Sequence, residues 1–588
     1  MILEEFASDL VRLNGTWAGA LVDISKDAHL AEEGRSNDLN VLKIIPGESD
    51  VFRVAIRIPL ECAEGYWYPA GLHERPLMPD WKGTDTIGIV SSSPLGCLYD
   101  GDGRAMLGYA TDWLVKDCQL QFGVSEEEMA FVILIQRKRA VAGEPLQLAL
   151  ADRGDTLSRT IAGLRQWQTK RVGKVGRNLP EAAKAPVYST WYAYSQAIDA
   201  SLIEADALVA RDIGCRAVFI DDGWQKMANG RWYAGCGDWL PDAGKFPDFR
   251  AHVARLKALG MSVVVWVAPL LLGNKSDAFS HMAVYAPHHA PRLRANILDV
   301  RFREVRDFFV SSCLRVIEDY DLDGLKIDFL NDATVYVGTR GRGDINDVGE
   351  AMQQTLEQLC CSLEERGRAD AIIEFRQPYV NTAVAAYANV VRAFDCPTDV
   401  VVGRRAIIDT RMTSSAVVHS DPLVWDRSGG AQAAARQILA GYFSVPQISM
   451  RLTELPSDQR VVINHVLAHW ERTRDIVIHG ELDGGLPSAG YPVVQCVDGA
   501  GNGVIGVYSD TIVDLDCSVF RQLTLLNATT KSKLVLRLSG APAEVIVDVS
   551  DMVGARVRIA SHRLDQGFWL VDVPPCGIAV LDIRRVDE

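Results

Sequence analysis

The chain lacks any uninterrupted apolar run of the roughly 18 residues that a membrane-crossing helix requires. Its start, Met1-Ile-Leu-Glu-Glu-Phe6, also lacks the basic opening and apolar core of a secretory signal, so the expectation is a cytoplasmic protein without a membrane partner. Cations are in deficit: 61 Lys and Arg face 76 Asp and Glu, a net charge of -15. Nucleic acid is thereby excluded as a partner, because neutralising phosphates needs a basic surface. The twelve cysteines show no Cys-x-x-Cys spacing, which points to free thiols in a reducing compartment rather than disulfides. His288-His289 and Asp299 lack metal-site spacing, and Gly338-Thr-Arg-Gly-Arg-Gly343 lacks the Gly-Lys-Ser/Thr ending of a phosphate loop. No metal and no cofactor is expected. A small neutral molecule remains as the partner, and a homo-oligomer is compatible with all of this.

What the chain does have is alternation. Short period-two segments broken by Gly, Pro and Asp, such as Val51-Phe-Arg-Val-Ala-Ile-Arg-Ile58 and Met129-Ala-Phe-Val-Ile-Leu-Ile-Gln136, predict an N-terminal β-sandwich over 1–184. From Ala185-Pro186 the pattern changes to strand-like runs separated by helical ones. The strands fall at 187–191, 217–221, 262–267, 324–329, 371–375, 390–394, 416–419 and 447–450. Eight such units over 185–480 have the size of a (β/α)8 TIM barrel. Beyond Gly480, segments such as Gly503-Val-Ile-Gly-Val-Tyr508 and Lys533-Leu-Val-Leu-Arg-Leu538 return to an antiparallel β pattern and predict a third domain over 481–588.

In such a barrel reactive groups sit where strands end and loops begin. Those ends carry Trp191, Asp221-Asp222-Gly223-Trp224, Trp266, Lys326 and Asp328, Glu374 and Arg376, Arg392 and Asp395, and His419-Ser420-Asp421. In Gly324-Leu-Lys-Ile-Asp-Phe329, Leu325, Ile327 and Phe329 share one face while Lys326 and Asp328 share the other. An ammonium and a carboxylate should therefore emerge together. Paired carboxylates across a pocket are what glycoside hydrolysis needs, tryptophan faces suit a pyranose ring, and Arg, Lys and further carboxylates grip hydroxyls. His419, Ser420 and Asp421 cannot act as a catalytic triad, since consecutive residues of an extended strand point to opposite faces. His419 is a sugar ligand or a core histidine.

The barrel resembles the family 36 glycoside hydrolases of clan D, the melibiase-type α-galactosidases. The likeness rests on Phe219-Ile-Asp-Asp-Gly-Trp224, Gly237-Asp-Trp-Leu-Pro-Asp-Ala-Gly-Lys-Phe-Pro247, Leu325-Lys-Ile-Asp-Phe329, Arg392-Ala-Phe-Asp395 and Val418-His-Ser-Asp421. It implies a retaining α-glycosidase with Asp328 as nucleophile and Asp395 as acid/base. It also implies that Asp221, Asp222, Lys326 and Arg392 bind hydroxyls and that Trp191 and Trp266 line the pocket. Asp399 is the other carboxylate in reach of the acid's role, or else the cap of the next helix.

One departure from the family pattern bears on the substrate. Ile373-Glu-Phe-Arg-Gln-Pro378 stands where many members carry a Cys- and Gly-rich stretch. Glu374 and Arg376 then either meet the 2-position of the sugar or pair with each other beneath the pocket. Two rival functions share the pattern: a transglycosylase of the raffinose- or stachyose-synthase kind, and a noncatalytic carbohydrate-binding protein on the same fold.

Overall fold

A computed structural model describes residues 7–585 apart from 70, 72–76, 78–81, 127, 139–143, 175, 231 and 541–542. Two six-stranded antiparallel sheets face each other at the N-terminal end. Their alternating residues interlock in one core that includes Phe52, Ile56, Tyr109, Phe122, Phe131 and Leu148. In Val51–Pro59, for instance, Phe52, Val54, Ile56 and Ile58 turn inward, as the period-two pattern requires. A connecting helix, Leu157–Val172, is capped by Thr156 and leads from this sandwich into the barrel.

Eight parallel strands form the barrel: β1 (Val187–Ser189), β2 (Ala217–Ile220), β3 (Ser262–Val267), β4 (Gly324–Ile327), β5 (Ile372–Arg376), β6 (Val390–Arg392), β7 (Val417–His419) and β8 (Gln447–Ile448). β8 pairs with β1, and the isolated bridges His419 to Val445 and Leu423 to Ile448 bring β7 and β8 together. The strands are buried along their length except at Ser262 and Arg376, which are partly exposed, as expected of a parallel sheet covered by helices. The surrounding helices are α1 (Ala200–Asp212), α2 (Phe249–Ala258), α3 (Arg303–Tyr320), α4 (Val348–Glu365), α5 (Val400–Thr413), α6 (Gly430–Ala440) and α7 (Ser457–His479). Asp199, Asp248, Asp347 and Asp399 accept backbone N–H bonds at the starts of α1, α2, α4 and α5. None of the described helices is long and apolar enough to cross a membrane.

β4 ends at Ile327, two residues earlier than the alternation predicts. Phe329 takes a left-handed conformation, φ 60°, and opens a 3-10 turn over Leu330–Tyr336, so it does not continue the Leu325 and Ile327 face. The C-terminal domain packs a seven-stranded sheet against a three-stranded one through Val507, Leu525, Leu536, Val547 and Leu581. Its pairing is mostly antiparallel. Asn502–Val507 with Gln522–Asn527 and Ile512–Asp516 with Lys533–Ser539 are parallel exceptions.

Candidate active site

The lower interior of the barrel is apolar: Val187, Ala217, Phe219, Val264, Ile372 and Val390 pack there. The next level up is polar, because register sets Lys326 beside Trp266 on one side and Glu374 on the other. Arg376 and Arg392 come level with each other, and Arg392 with His419. Charges at this depth need partners.

Asp328 follows β4 directly and is buried. Its Oδ2 accepts a bond from the Trp266 indole N–H at 2.9 Å, and its Oδ1 accepts from Phe329 N at 2.6 Å and from Arg376 Nε at 2.5 Å. Burial works to raise this carboxyl's pKa, but Arg376 and Lys326 outweigh it and hold the group far below the usual carboxylate range. Lys326 itself donates to Asp221 Oδ2 at 2.5 Å. Asp221 receives Asp222 N at 2.8 Å, and its own N–H bonds to Thr190 Oγ1. Asp222 points elsewhere, taking Gln196 Nε2 and Gln225 Nε2, each at 2.7 Å. Its burial outweighs those two bonds and pushes its pKa up to about 6. Gly223 makes this divergence of neighbouring carboxylates feasible. Its φ is 126°, and a Cβ there would meet the Gln196 backbone at 2.7 Å.

On the opposite side, Arg392 Nη2 binds Asp395 Oδ1 at 2.8 Å, and Arg392 Nη1 binds Asp421. Asp395 is half exposed, with its side chain 48% accessible, and thus faces the mouth of the barrel. Burial raises its pKa, but Arg392 and Arg376 prevail and leave it lowered. Asp421 also accepts Tyr192 Oη–H and Cys396 N, both at 2.9 Å, so it ties the β1 and β6 ends together. Asp399 accepts from Val401 N and Val402 N and is occupied as the cap of α5. Trp191 begins a short helix, Trp191–Tyr194, after β1 and is half buried, its ring 6.4 Å from that of Tyr192.

The structure departs from the sequence expectation at Trp266 and at the Glu374 and Arg376 pair, and decides between the two readings left open for His419. Trp266 is 1% exposed and spends its N–H on Asp328, so it positions that carboxylate instead of offering a free face to a sugar. Glu374 and Arg376 do not pair with each other: alternation sends both into the barrel at different heights. Arg376 meets Asp328, while Glu374, fully buried, receives Gln447 Nε2 at 2.6 Å. Burial pushes Glu374 up to about 7 against the pull of Lys326 and Arg392. His419 is fully buried too. Its Nε2 meets the Ala183 carbonyl at 2.8 Å and its Nδ1 lies 3.1 Å from Gln447 Nε2, so it is a core histidine and not a sugar ligand.

Gln196, Gln225, Gln447 and Tyr192 escaped the sequence reading, since neutral amides and phenols carry no charge pattern. Their only signal is position: Tyr192, Gln196 and Gln225 follow the ends of β1 and β2, and Gln447 opens β8. Lys245, inside the Gly237–Pro247 motif, donates to the carbonyls of Gln196, Gly223 and Ala228 and pins the loop that carries Asp222. A cavity of about 890 Å³ lies apart from all this, between the connecting helix and the barrel, lined by Arg165, Lys174, Arg411 and Glu481 among others.

Carboxylates, cations and amides are thus joined around the C-terminal mouth of the barrel. The model for the glycosyl hydrolases family 31 TIM-barrel domain matches residues 179–431. Curated sequence relatives include the α-galactosidase of Escherichia coli, 27% identical over 194 residues, which are 32% of this chain and 27% of that enzyme. The chain thus matches about a quarter of the length of such relatives. Among solved structures, the GH36 α-galactosidase AgaB of Geobacillus stearothermophilus superposes with a TM-score of 0.63 at 13% identity, over 96% of this chain and 81% of that one. The α-galactosidase of Lactobacillus brevis does so with a TM-score of 0.60 at 15% identity, over 98% and 81%. By sequence the barrel is thus similar to proteins named α-galactosidases, and by fold the whole chain is similar to solved α-galactosidases, while the matching family model is that of family 31.

Proposed function

We propose that this protein is a retaining α-glycosidase that hydrolyses terminal non-reducing α-D-galactosides or close analogues. The observation that carries the reading is the unequal pair at the ends of β4 and β6: Asp328 buried and held ionised by Arg376, Lys326 and Trp266, and Asp395 half exposed at the mouth. In this reading Asp328 attacks the anomeric carbon while Asp395 passes a proton to the departing oxygen. Water then attacks the glycosyl ester, gives its proton to Asp395 and frees Asp328. Asp221, Asp222, Lys326 and Arg392 hold hydroxyls, and Trp191 forms a wall. Two carboxylates diverging at Gly223 suit the axial 4-OH and the 6-OH of galactose, and sequence relatives named α-galactosidases support the same sugar.

The partner is a small saccharide rather than nucleic acid or membrane, and the location is cytoplasmic, in keeping with twelve free cysteines. The catalytic unit is taken as 185–480 between flanking β domains at 1–184 and 481–588. The test is a panel of p-nitrophenyl α-glycosides, with NMR of the first-formed sugar. Retention with α-galactoside preferred, and loss of turnover in Asp328→Asn, supports the proposal. An inverted anomer, or full activity in that variant, refutes it.

A further inference from the structure

In the glycosidase reading Arg376 serves only to hold Asp328 ionised. It lies at the C-terminal end of β5, its side chain 13% exposed, and its Nε points at Asp328 Oδ1. Its Nη1 donates to the Gln377 carbonyl at 2.9 Å, and its guanidinium lies 5.4 Å from the centre of the Phe329 ring. Gln377 is fixed in turn: its N–H bonds to the Arg392 carbonyl at 3.0 Å, and its Oε1 accepts Phe394 N at 2.7 Å. The arginine on the nucleophile and the backbone next to Asp395 are therefore braced by one residue.

With Trp266 on Oδ2 and Arg376 and Phe329 N on Oδ1, both oxygens of Asp328 are bound before any sugar arrives. A charge-assisted bond of this kind is strong toward a carboxylate and weaker toward an ester, which carries no net charge. Resting on the retaining reading above, we propose that Arg376 sets which half-reaction limits turnover, making formation of the Asp328 glycosyl ester slow and its hydrolysis fast. In the first half-reaction the C1 to aglycone bond breaks, the C1 to Asp328 oxygen bond forms and the aglycone oxygen takes the Asp395 proton. Arg376 opposes this step because its partner loses charge. In the second, water's oxygen bonds to C1, the ester bond breaks and Asp395 recovers a proton. Arg376 assists here because a carboxylate is regenerated against it. The ester then does not accumulate, and an added acceptor sugar finds little of it to intercept.

The experiment is rapid-mixing release of aryl phenolate from α-galactosides with leaving groups of graded acidity. It is run on the full-length wild type, Arg376→Met and Arg376→Lys, with circular dichroism confirming that each variant is folded. Wild type should show no burst, and its kcat should depend on the leaving group as steeply as kcat/KM does. Arg376→Met should show a burst approaching one phenolate per active site, with kcat insensitive to the leaving group. Arg376→Lys keeps the charge and should stay near wild type. A burst in the wild type overturns the proposal, even if no Met variant folds, and so does a folded Met variant without a burst. Absence of phenolate release by wild type from every glycoside overturns the glycosidase reading itself.

Discussion

Arg392 grips Asp395 through Nη2 at 2.8 Å while Asp421 holds the same guanidinium from the other side. The group assigned as acid thus rests as an ion pair. Because burial is outweighed by Arg392 and Arg376, its pKa lies below the usual carboxylate range, and the protonated form that donates to a leaving oxygen is the one depleted as pH rises. With poor leaving groups, kcat/KM should therefore fall with rising pH through an acid-shifted limb. Asp395→Asn should abolish that limb and cost about 10² to 10⁴-fold on such substrates, and less on activated aryl glycosides. Asp399→Ala, which touches only the start of α5, should lower stability by about 1 kcal/mol without any dependence on leaving group. Steady-state pH profiles across a leaving-group series decide between them.

Asp409 in α5 ties three parts of the molecule together. Its Oδ1 accepts the Trp67 indole N–H from the N-terminal sandwich at 2.8 Å and the Tyr491 hydroxyl from beyond α7. Burial, opposed by the two bonds, raises its pKa to about 6. A carboxyl with a raised folded-state pKa binds its proton more tightly folded than unfolded, so stability is lost as pH rises from about 4 to about 6 and then levels off. The loss is on the order of 2 to 3 kcal/mol. Asp409→Asn keeps an oxygen for both donors and removes the charge. Compared with wild type by denaturant titration from pH 4 to 7, it should lose this contribution to the slope and be no less stable at pH 7. Asp409→Ala orphans two buried donors and should be destabilised throughout, by about 1 to 3 kcal/mol for each donor.

Much of the architecture was legible because simple periodicities carry it. Val263, Val264 and Val265, within the strand expected at 262–267, are buried in β3. Strand-end position likewise set Asp328, Asp395, Asp221 and Asp222 apart as candidates. What sequence could not supply was which charges meet. Arg376 and Glu374 share a face two residues apart, yet the taper and stagger of the barrel send one to Asp328 and the other to Gln447. Neighbourhood along the chain says nothing of such cross-strand choices. The same limit hid Trp266 behind Asp328, since an indole N–H reveals its partner only in three dimensions.

Gly223 separates the orientations of Asp221 and Asp222. A methyl group there collides with the Gln196 backbone at 2.7 Å, which no rotamer change relieves, and an L-residue is strained at φ 126°. Gly223→Ala should displace Gln196 and Asp222 together and cost roughly 1 to 3 kcal/mol of stability. Its kcat/KM on α-galactosides should fall by more than tenfold, with the loss smaller on analogues lacking the 4-OH or 6-OH, where wild type already forfeits those bonds. Equal losses on all substrates would mean that the Asp222 carboxylate does not read these hydroxyls.

His419 gives the last prediction, because its assignment to the core is the one most readily confused with binding. Burial lowers its pKa to about 4, so the ring is neutral at working pH, with Nε2 on the Ala183 carbonyl and Nδ1 facing the Gln447 amide. A neutral core imidazole contributes shape and two hydrogen bonds, and no ionisation between pH 5 and 8. His419→Ala should remove both bonds and leave a cavity, lowering stability by about 3 kcal/mol. KM for α-galactosides should change less than threefold, since the ring is fully buried and both its nitrogens are taken, by Ala183 and Gln447. The wild-type pH profile should show no limb that this substitution deletes. A tenfold rise in KM with an unchanged unfolding midpoint would instead place the imidazole against the sugar.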